Sequence, residues 1–424
     1  MPILAELSFV SPAAGGAGGF TPPILELPIF AALSFVAPLA KNPTSLQLAS
    51  AAERDLAGWD MVAPWQLFCA GSVPLGGAFD KRNLPGDYAA QMIIFVTTKR
   101  HAYTVASLVD GRLGPSVPQF RAMAWEHLFH ARRIPRATYV FTDLERLSPP
   151  ELFFAAQVYQ AATAVGLRCL NNPALVRHRY ALLHALHAHG HNPFTVYRAE
   201  ISPRPERFPV FIRCEADHGF PVTGLLGSQA ELDAALVTLH AQGVPLRFMV
   251  VIEFCAAPIA PNVWRKFGTF RVGAGMHLDH AVVEDNWLVK YGTPGLTTAA
   301  QFAEERDAVA ANEGAETLRP AFEIAQIEYG RADHATVNGQ EVVYEINTNP
   351  HIGRLSRQRS PVRDEALAIA RARFLALLAE IDTQEGGKVV IPTAAPSGWR
   401  YRLAPIVHRL REGLTNIKTS VISG

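Results

Sequence analysis

The sequence has little of what marks several large classes of protein. Its 424 residues include only four cysteines and no C-x-x-C pair, so neither a cysteine zinc site nor a disulfide framework is indicated. The apolar opening has no basic residue before Lys41 and therefore lacks the positive segment of a secretory signal. The longest clean apolar run, "IFAALSFVA", falls far short of the roughly 18 residues that span a bilayer. We expect a cytoplasmic protein without a membrane span.

An excess of charge of one sign is also missing. Lys and Arg number 39 against 38 Asp and Glu, a formal net charge of +1, which gives no electrostatic reason to expect nucleic acid or an anionic membrane as a partner. The chain has no G-x-x-x-x-G-K-[ST] motif and no strand-G-x-G-x-x-G-helix arrangement, which argues against a P-loop and a dinucleotide site. It also shows no Ser-His-Asp or Cys-His constellation, so no protein nucleophile is evident.

The order of strand and helix patterns predicts several lobes. Residues 1–85 are rich in Ala, Pro and Gly and indicate no role. Strands alternate with helices over residues 86–175, which predicts an N-terminal parallel α/β lobe, and "AMAWEHLFHARRI" within it has the pattern of an amphipathic helix. Residues 176–253 predict a small α+β lobe and residues 254–385 a larger one, before a linker and basic tail at 386–424. The fold class is therefore α/β and α+β.

The segment "IEYGRADHATVNGQEVVYEINTNP" carries the strongest chemical signal. Its two apolar runs flank Asn338-Gly339, which is a strong signal for a β-hairpin. Successive side chains of a strand point to opposite faces, so Glu345, Asn347 and Asn349 project to one side of the second strand. This strand thus ends in a row of oxygen-bearing side chains.

Whether Asp333 joins this row depends on the loop of the hairpin. A two-residue turn would pair Asp333 with Tyr344 and leave it on the face opposite Glu345. A three-residue loop, with Gly339 left-handed in a bulge, instead places Arg331 opposite Glu345 and Asp333 diagonal to it. All three polar groups then share one face. We predict the bulged loop.

Two carboxylates on one face of a hairpin need a compensating charge. At about 5 Å apart they repel by roughly 3 kcal/mol at an effective dielectric of about 20. Carboxylate oxygens with a carboxamide, and neither His nor Cys, favour Mg²⁺ or Mn²⁺ over zinc, and Mg²⁺ commonly takes phosphate oxygens as its remaining ligands. The alternative is a hairpin whose exposed face carries Asp, Glu and Asn by chance, with Arg331 as the compensating charge.

Asp333, followed a dozen residues later by Glu345-x-Asn347 in "YEINTNP", resembles the metal-binding pattern of the ATP-grasp superfamily. The likeness extends over residues 170–350, and "TYVFTDL" looks like part of the lobe that precedes the nucleotide domain. It implies an ATP-grasp fold, in which an N-terminal α/β lobe precedes two lobes that clasp Mg-ATP. Asp333, Glu345 and Asn347 would then be ligands of Mg²⁺ (or Mn²⁺).

The resemblance also implies roles for six residues upstream of the hairpin. Two stand where the family usually has phosphate-binding lysines, and arginine there keeps the charge and can grip phosphate through two N–H groups. The others are two nucleotide contacts, a phosphate neighbour and an Arg that steadies the acyl phosphate. In chain order the six are Arg179 and Arg213 in place of the lysines, Glu253 and Phe254 of "VVIEFC" beside the nucleotide, catalytic Arg271 of "FRVGAG", and Lys290 of "WLVKYG" near the phosphates.

The activity implied by the resemblance is ATP-dependent joining of a carboxylate to an amine, or to a thiol, through an acyl phosphate. The substrates would be small molecules or peptides. Three alternatives stay open: a phosphotransferase on the same fold, a catalytically silent ATP-binding protein, and a binding protein that takes no nucleotide. The silent alternative is motivated by Arg179 and Arg213 in place of Lys and by the few glycines of "EADHGFPVTG".

Overall fold

In the computed structural model of the protein, the described residues form three main sheets and one two-stranded ribbon. The structure describes residues 92–113, 118–353, 358–383 and 386–392. The predictions for residues 1–85 and for most of the C-terminal tail lie outside this part of the chain. The parallel α/β and mixed α+β fold class predicted from the sequence is confirmed by the three sheets.

The first sheet is parallel, with the strand order β2-β1-β4-β5, and its central strand β1 is buried along its whole length. We call this part of the protein the parallel lobe. Its elements are β1 (Met92–Thr97), α1 (Ala106–Val109), β2 (Gln119–Ala124), α2 (Trp125–Leu128), β3 (Arg133–Pro135), β4 (Thr138–Phe141), α3 (Pro149–Ala164) and β5 (Cys169–Leu170).

The helix predicted for "AMAWEHLFHARRI" is wrong. The segment begins within β2, which pairs with β1 over six residues, continues as the single turn α2, and ends in β3. Trp125 explains the break, because its ring stacks on Phe141 at 5.2 Å and its Nε1–H donates to the carbonyl of Thr142 at 3.0 Å. Packing against the sheet therefore overrides the local helical pattern.

The second sheet is antiparallel, with the order β6-β8-β7, and forms the small lobe with a covering helix. That helix begins at Ser228, whose side chain accepts a hydrogen bond from the Glu231 N–H, as expected for a helix cap. The elements of the small lobe are α4 (Arg179–Ala188), β6 (Val196–Arg198), β7 (Val210–Cys214), α5 (Gln229–Ala241) and β8 (Met249–Glu253).

The third sheet is antiparallel, with the order β10-β9-β11-β12, and forms the large lobe. Helix α8 packs on it through Phe374, whose ring lies 4.8 Å from that of Phe270. None of the helices in the described ranges has the length and hydrophobicity needed to cross a membrane. The elements are β9 (Trp264–Val272), β10 (Gly275–Glu284), α6 (Ala299–Ala311), α7 (Arg319–Ala325), β11 (Tyr329–Val337), β12 (Gln340–Asn347), α8 (Pro361–Glu380) and β13 (Lys388–Val390), which pairs with β3.

Two buried asparagines tie the parallel lobe to the large lobe. The Asn171 side chain donates to the carbonyls of Phe141 and Tyr329, at 3.0 and 2.8 Å, and accepts from the Tyr329 N–H at 2.9 Å. Asn349 accepts from the Thr104 hydroxyl at 2.7 Å and donates to the hydroxyl of Thr97 at 3.1 Å. Because buried polar groups are costly unless they are hydrogen-bonded, these pairings fix the two lobes against each other.

The hairpin of β11 and β12 differs from the predicted one in its loop. Asn338 and Gly339 both have positive φ, at 51° and 81°, and they form a two-residue turn that pairs Val337 with Gln340. The predicted three-residue loop is therefore wrong. A φ above zero at both central residues is what the tight hairpin turn requires, and Asn-Gly supplies it at little cost.

The bulge lies inside the strand instead. The register shifts between Asp333 and His334, so that Tyr344 is the extra residue of β12 and Asp333 pairs directly with Glu345. Arg331 pairs with Asn347, whereas the predicted loop would have paired it with Glu345. The Tyr344 hydroxyl donates to a backbone carbonyl at 2.9 Å, which anchors the extra residue. The prediction that Asp333 and Glu345 share one face is thus confirmed, although the bulge that brings this about lies in the strand and not in the loop.

Gly339→Ala should lower the free energy of unfolding by about 1 kcal/mol, because an L side chain is strained at a φ of 81° although the space around it is open. Urea titration measures the change. Gly224→Ala is the matched control, since its surroundings are equally open and its φ is not positive, and it should leave stability unchanged or slightly raised. Equal effects of the two substitutions would contradict the turn geometry.

Candidate active site

The carboxylate pair of Asp333 and Glu345 lies at the centre of the site, and side chains from other strands and helices neutralise it. Lys266 of β9 donates its Nζ to Asp333 Oδ2 at 2.8 Å. Arg179, the first residue of α4, donates its Nη2 to Glu345 Oε2 at 2.6 Å. Arg331 Nε lies 3.5 Å from Asp333 Oδ1. The charge that the sequence analysis assigned to a bound cation is therefore partly supplied by the protein itself.

Arg179 is held through its two terminal nitrogens and does not face open space, while its buried Nε has no hydrogen-bond partner among the described residues. It is only 7% exposed, and its Nη1 donates to the carbonyls of Cys214, Glu215 and Asp217 at 3.1, 2.5 and 2.9 Å. These carbonyls follow the end of β7. The structure thus places Arg179 as a clamp between Glu345 and the turn after β7, whereas the sequence resemblance placed it on a phosphate.

His218 is a site residue that the sequence analysis missed. Its Nδ1 lies 2.6 Å from Glu345 Oε1 and its Nε2 lies 3.0 Å from Glu145 Oε1. The imidazole therefore joins the small lobe to the large lobe at one nitrogen and to the parallel lobe at the other. An imidazole that faces a carboxylate on each side donates both of its N–H groups, which requires the protonated form.

The electrostatics agree with a protonated His218. Burial alone would lower its pKa, but Glu345 and Glu145 outweigh burial and raise the pKa to about 9. Burial would raise the pKa of Glu145, but His218 lowers it to about 2. Burial likewise opposes ionisation of Glu345, yet Arg179 and His218 hold its pKa well below the usual value. The three groups form a charged chain across the cleft.

Two further predicted residues carry positive charge near the pair. Arg213 donates its Nη2 to the carbonyls of Asp217 and Gly219, at 3.0 and 3.3 Å, while its buried Nε has no hydrogen-bond partner among the described residues. Lys290 lies over the ring of Phe220 at 4.4 Å. Burial lowers the pKa of Lys290, and nearby Arg213 lowers it further. This accumulation of positive charge suits a ligand with several negative charges.

A cavity with aromatic walls opens beside the carboxylate pair, and we call it the aromatic cavity. The ring of Trp287 lies 5.1 Å from that of Phe211 and meets the ring of Phe254 edge-on at 5.6 Å. The same cavity is lined by Trp264, Tyr344, Arg213, Lys266, Asp333 and Glu345. Phe254, which the resemblance places beside a nucleotide, lines this cavity together with Phe211 and Trp287, which the sequence analysis missed.

Glu253, which the resemblance places beside the nucleotide, lines the aromatic cavity, but its carboxylate is already hydrogen-bonded. It is 3% exposed, and its carboxylate accepts hydrogen bonds from the Thr195 N–H at 3.1 Å, the Tyr197 hydroxyl at 2.9 Å and the Arg207 N–H at 3.3 Å. Its side chain thus holds the strands of the small lobe together. A contact between this carboxylate and a ribose, which the resemblance implied, would require these hydrogen bonds to break.

The structure does not bring Arg271 to the pair. Arg271 donates to the carbonyls of Gly273 and Ile327, at 3.0 and 3.1 Å. Lys266 and Arg271 are five positions apart on β9, so their side chains leave opposite faces of the sheet. Arg331, rather than Arg271, is the arginine that lies beside Asp333. The sequence analysis had already placed Arg331 on the face of Asp333, because alternate residues of a strand share a face.

The donors of the hairpin fit a hard divalent cation in type. Two carboxylates lie opposite each other and Asn347 follows on the same face, with its Oδ1 accepting the Asn349 N–H at 2.8 Å. A carboxylate oxygen has a second lone pair, so one protein hydrogen bond does not exhaust it. In the part of the chain that the structure describes, no three His, Cys, Asp or Glu side chains converge as a metal site. Any ion here would therefore need oxygens from a ligand as well.

Comparison with known proteins gives a likeness in fold. No family model and no curated protein matches the chain. Solved ATP-grasp ligases are similar to it. D-alanine–D-alanine ligase from Bacillus anthracis complexed with ATP is 13% identical over 68% of this chain and 96% of that chain, with a TM-score of 0.41. L-amino acid ligase from Bacillus licheniformis is 10% identical over 69% of this chain and 75% of that chain, with a TM-score of 0.38. D-cycloserine synthetase DcsG is 19% identical over 68% of this chain and 99% of that chain, with a TM-score of 0.36. At these identities and scores the likeness carries no argument.

His218→Gln should lower the free energy of unfolding by roughly 1–3 kcal/mol at pH 6, because it removes two hydrogen bonds to carboxylates. The folded pKa of about 9 lies above the usual 6.5, so this stabilisation is fully present below pH 6.5 and is lost as the pH rises through about 9. Urea titrations of both proteins between pH 6 and about 10 measure the difference. His240→Gln, an exposed change on α5, should show no such trend. A difference that stays constant with pH would contradict the bridge.

Proposed function

We propose that the protein is an atypical ATP-grasp enzyme that uses ATP to join a carboxylate to an amine, or to a thiol, through an acyl phosphate. The observation that supports this most is the aromatic cavity. Its lining combines the rings of Phe211, Phe254 and Trp287 with the carboxylate pair and its cations, which suits a base beside the rings and a polyphosphate beside the charges.

Each part of the cavity has a task in this proposal. Phe211, Phe254 and Trp287 would hold the adenine by its faces and edges. Arg213 would neutralise phosphate oxygens, and its buried Nε offers a donor without a partner in the described chain. Lys290 lines a neighbouring cavity, and its charge would act on the phosphates from there.

The carboxylate pair would hold the metal of Mg-ATP. Asp333, Glu345 and Asn347 are the ligands, and Mn²⁺ could replace Mg²⁺ because both prefer oxygen. When bound, the ion would neutralise charge on the transferring phosphoryl group. Lys266 and Arg179 keep both carboxylates ionised, as the lowered pKa values of Asp333 and Glu345 indicate.

The reaction needs positioning and charge neutralisation rather than a protein nucleophile. An oxygen of the substrate carboxylate attacks the γ-phosphorus, the bond to the β–γ bridging oxygen breaks, and ADP leaves. The amine then attacks the acyl carbon, the bond to the phosphate oxygen breaks, and phosphate leaves as the amine loses a proton. Arg331, beside Asp333, would stabilise the transferring group, in the role that the sequence analysis gave to Arg271.

One observation favours a second candidate, a catalytically silent ATP-binding protein. Both oxygens of Glu345 are already hydrogen-bonded, to Arg179 and to His218. A metal could use this carboxylate fully only if at least one of these partners moved. Incubation with ATP, Mg²⁺ and pooled amino acids and metabolites separates the candidates. A ligase yields ADP and a new amide or thioester, a phosphotransferase yields ADP and a stable phosphorylated product, and a silent protein binds ATP without turnover.

Glu345→Gln should reduce ATP turnover by at least about 100-fold, because it removes a negative charge that orients the metal and phosphate. ADP release under saturating Mg-ATP measures the loss. Asp333→Asn should act in the same way and guards against a purely structural effect of one variant.

Glu341→Gln is the matched control for this experiment. Glu341 lies on the same strand but pairs with His334 and Thr336, at 2.7 and 2.6 Å, outside the aromatic cavity. It should keep most of the turnover. A fully active Glu345→Gln protein would contradict the assignment of the site.

Trp287→Ala should raise the Kd of ATP about tenfold or more, since stacking of a base on an aromatic ring contributes roughly 1–3 kcal/mol. Calorimetric titration with ATP and Mg²⁺ measures the Kd directly and does not depend on turnover. Phe153→Ala, which removes a 61% exposed ring on α3, is the control and should leave the Kd unchanged. An unchanged Kd in Trp287→Ala would place the base elsewhere.

A further inference from the structure

A second cavity, of about 400 Å³, lies in the large lobe beside β10, β11 and α8. This volume is within the range of small-molecule sites. We call it the arginine cavity, because basic side chains dominate its lining. They are Lys290, Arg331, Arg359, Arg363 and Arg371, against the two acidic residues Asp279 and Asp364.

Helix α8 supplies one wall. Asp364, Leu367, Arg371 and Phe374 all line the cavity, and their spacing of three, four and three residues places them on one face of the helix. Phe374 packs on Phe270 at 4.8 Å, and both rings line the cavity. The wall therefore has an apolar part as well as charged groups.

The positive charges of the arginine cavity are incompletely paired. Arg363 is paired with Glu305 at 3.0 Å, and Arg359 meets Asp364 at 3.4 Å. Arg371 is exposed and has no ion-pair partner within the described ranges. Arg331 lies 3.5 Å from Asp333 and over the ring of Phe270 at 5.9 Å, and its buried Nε has no hydrogen-bond partner in the described part of the chain. Asp279 Oδ2 lies 2.6 Å from His280 Nδ1. A net positive charge thus faces the cavity.

The arginine cavity meets the aromatic cavity at β11. Arg331 lines the former and Asp333 the latter, with their side chains 3.5 Å apart. The loop after β10 is divided in the same way, because Lys290 faces the arginine cavity whereas Leu288 and Val289 line the aromatic cavity. A ligand in the arginine cavity would therefore have one end next to the phosphates of a nucleotide bound at the carboxylate pair.

We propose that the arginine cavity binds the carboxylate substrate and that this substrate carries two anionic groups separated by a short apolar body. The reacting carboxylate lies at Arg331 and Lys290, and the second anionic group lies at Arg371 and Arg359. The rings of Phe270 and Phe374 cover the apolar body between them. This inference names the substrate class of the proposed ligase and so rests on that function, but the binding that it requires can be measured without turnover.

Calorimetric titration in the presence of Mg²⁺ and ADP tests the inference on the full chain. Glutarate and adipate are compared with valerate and hexanoate, which have the same numbers of carbons but one carboxylate. The dicarboxylates should bind about tenfold more tightly or better, as expected for hydrogen bonds to a charged group. 3-Phosphonopropionate is a third arm, and tighter binding of this compound than of glutarate would support the inference and identify the second group as phosphoryl.

Substitutions locate the second group. Arg371→Gln and Arg359→Gln should each reduce the preference for dicarboxylates and leave the affinity for valerate unchanged, because valerate uses only the end at Arg331. Arg306→Gln removes an exposed charge on α6 outside both cavities and should change neither affinity. A preference for dicarboxylates that survives the double substitution of Arg371 and Arg359 would overturn the placement of the second group.

Turnover is followed separately with Mg-ATP and hydroxylamine, which traps an acyl phosphate as a hydroxamate and releases phosphate. A preference for dicarboxylates in binding without hydroxamate would support the arginine cavity as a site for dianions and count against the proposed ligase. Equal binding of the monocarboxylates and dicarboxylates by the wild-type protein would overturn the inference, whether or not ATP is consumed.

Discussion

The structure depends on the neutralisation of two carboxylates that face each other across a hairpin. Asp333 and Glu345 would repel strongly at this distance in a partly buried site, and neither would stay ionised without cations around it. The cations come from separate elements: Lys266 from β9, Arg179 from α4 and His218 from the turn after β7. These cations reach the pair only when the lobes have folded around it, so the same folding step creates the charged cleft.

The cleft has more positive than negative groups once the pair is satisfied. Arg213 and Lys290 add charge without strong carboxylate partners of their own, and burial already disfavours their charged forms. Such an arrangement costs stability unless an anion enters. The site thus has a deficit of negative charge, and a polyphosphate in the aromatic cavity together with an anionic substrate in the arginine cavity would remove it.

The sequence predicts the fold class and the central hairpin, because alternation and Asn338-Gly339 are local signals. It does not predict the bulge at Tyr344, which depends on a hydroxyl contact to a residue 89 positions away. His218 and Trp287 were missed for a similar reason, since a loop residue shows its role only when the lobes meet. Arg271 was assigned to the site from its charge and its order along the chain, and neither shows the face of the sheet from which a side chain leaves.

The buried side chains of Asn171 and Asn349 determine which parts of the molecule can move. Both are satisfied by hydrogen bonds between the parallel and large lobes, so a shift of one lobe against the other would leave buried polar groups without hydrogen-bond partners. The small lobe is fixed to this block at Asn192, whose buried side chain donates to the Val343 carbonyl at 2.8 Å and accepts from the Val343 N–H at 3.0 Å. Its turn after β7 is instead held by the ion pair of His218 with Glu345. Hinge motion for admission and release would then belong to the part of the small lobe that follows Asn192, and the ion pair that must open for this motion would involve the same carboxylate that we propose as a metal ligand.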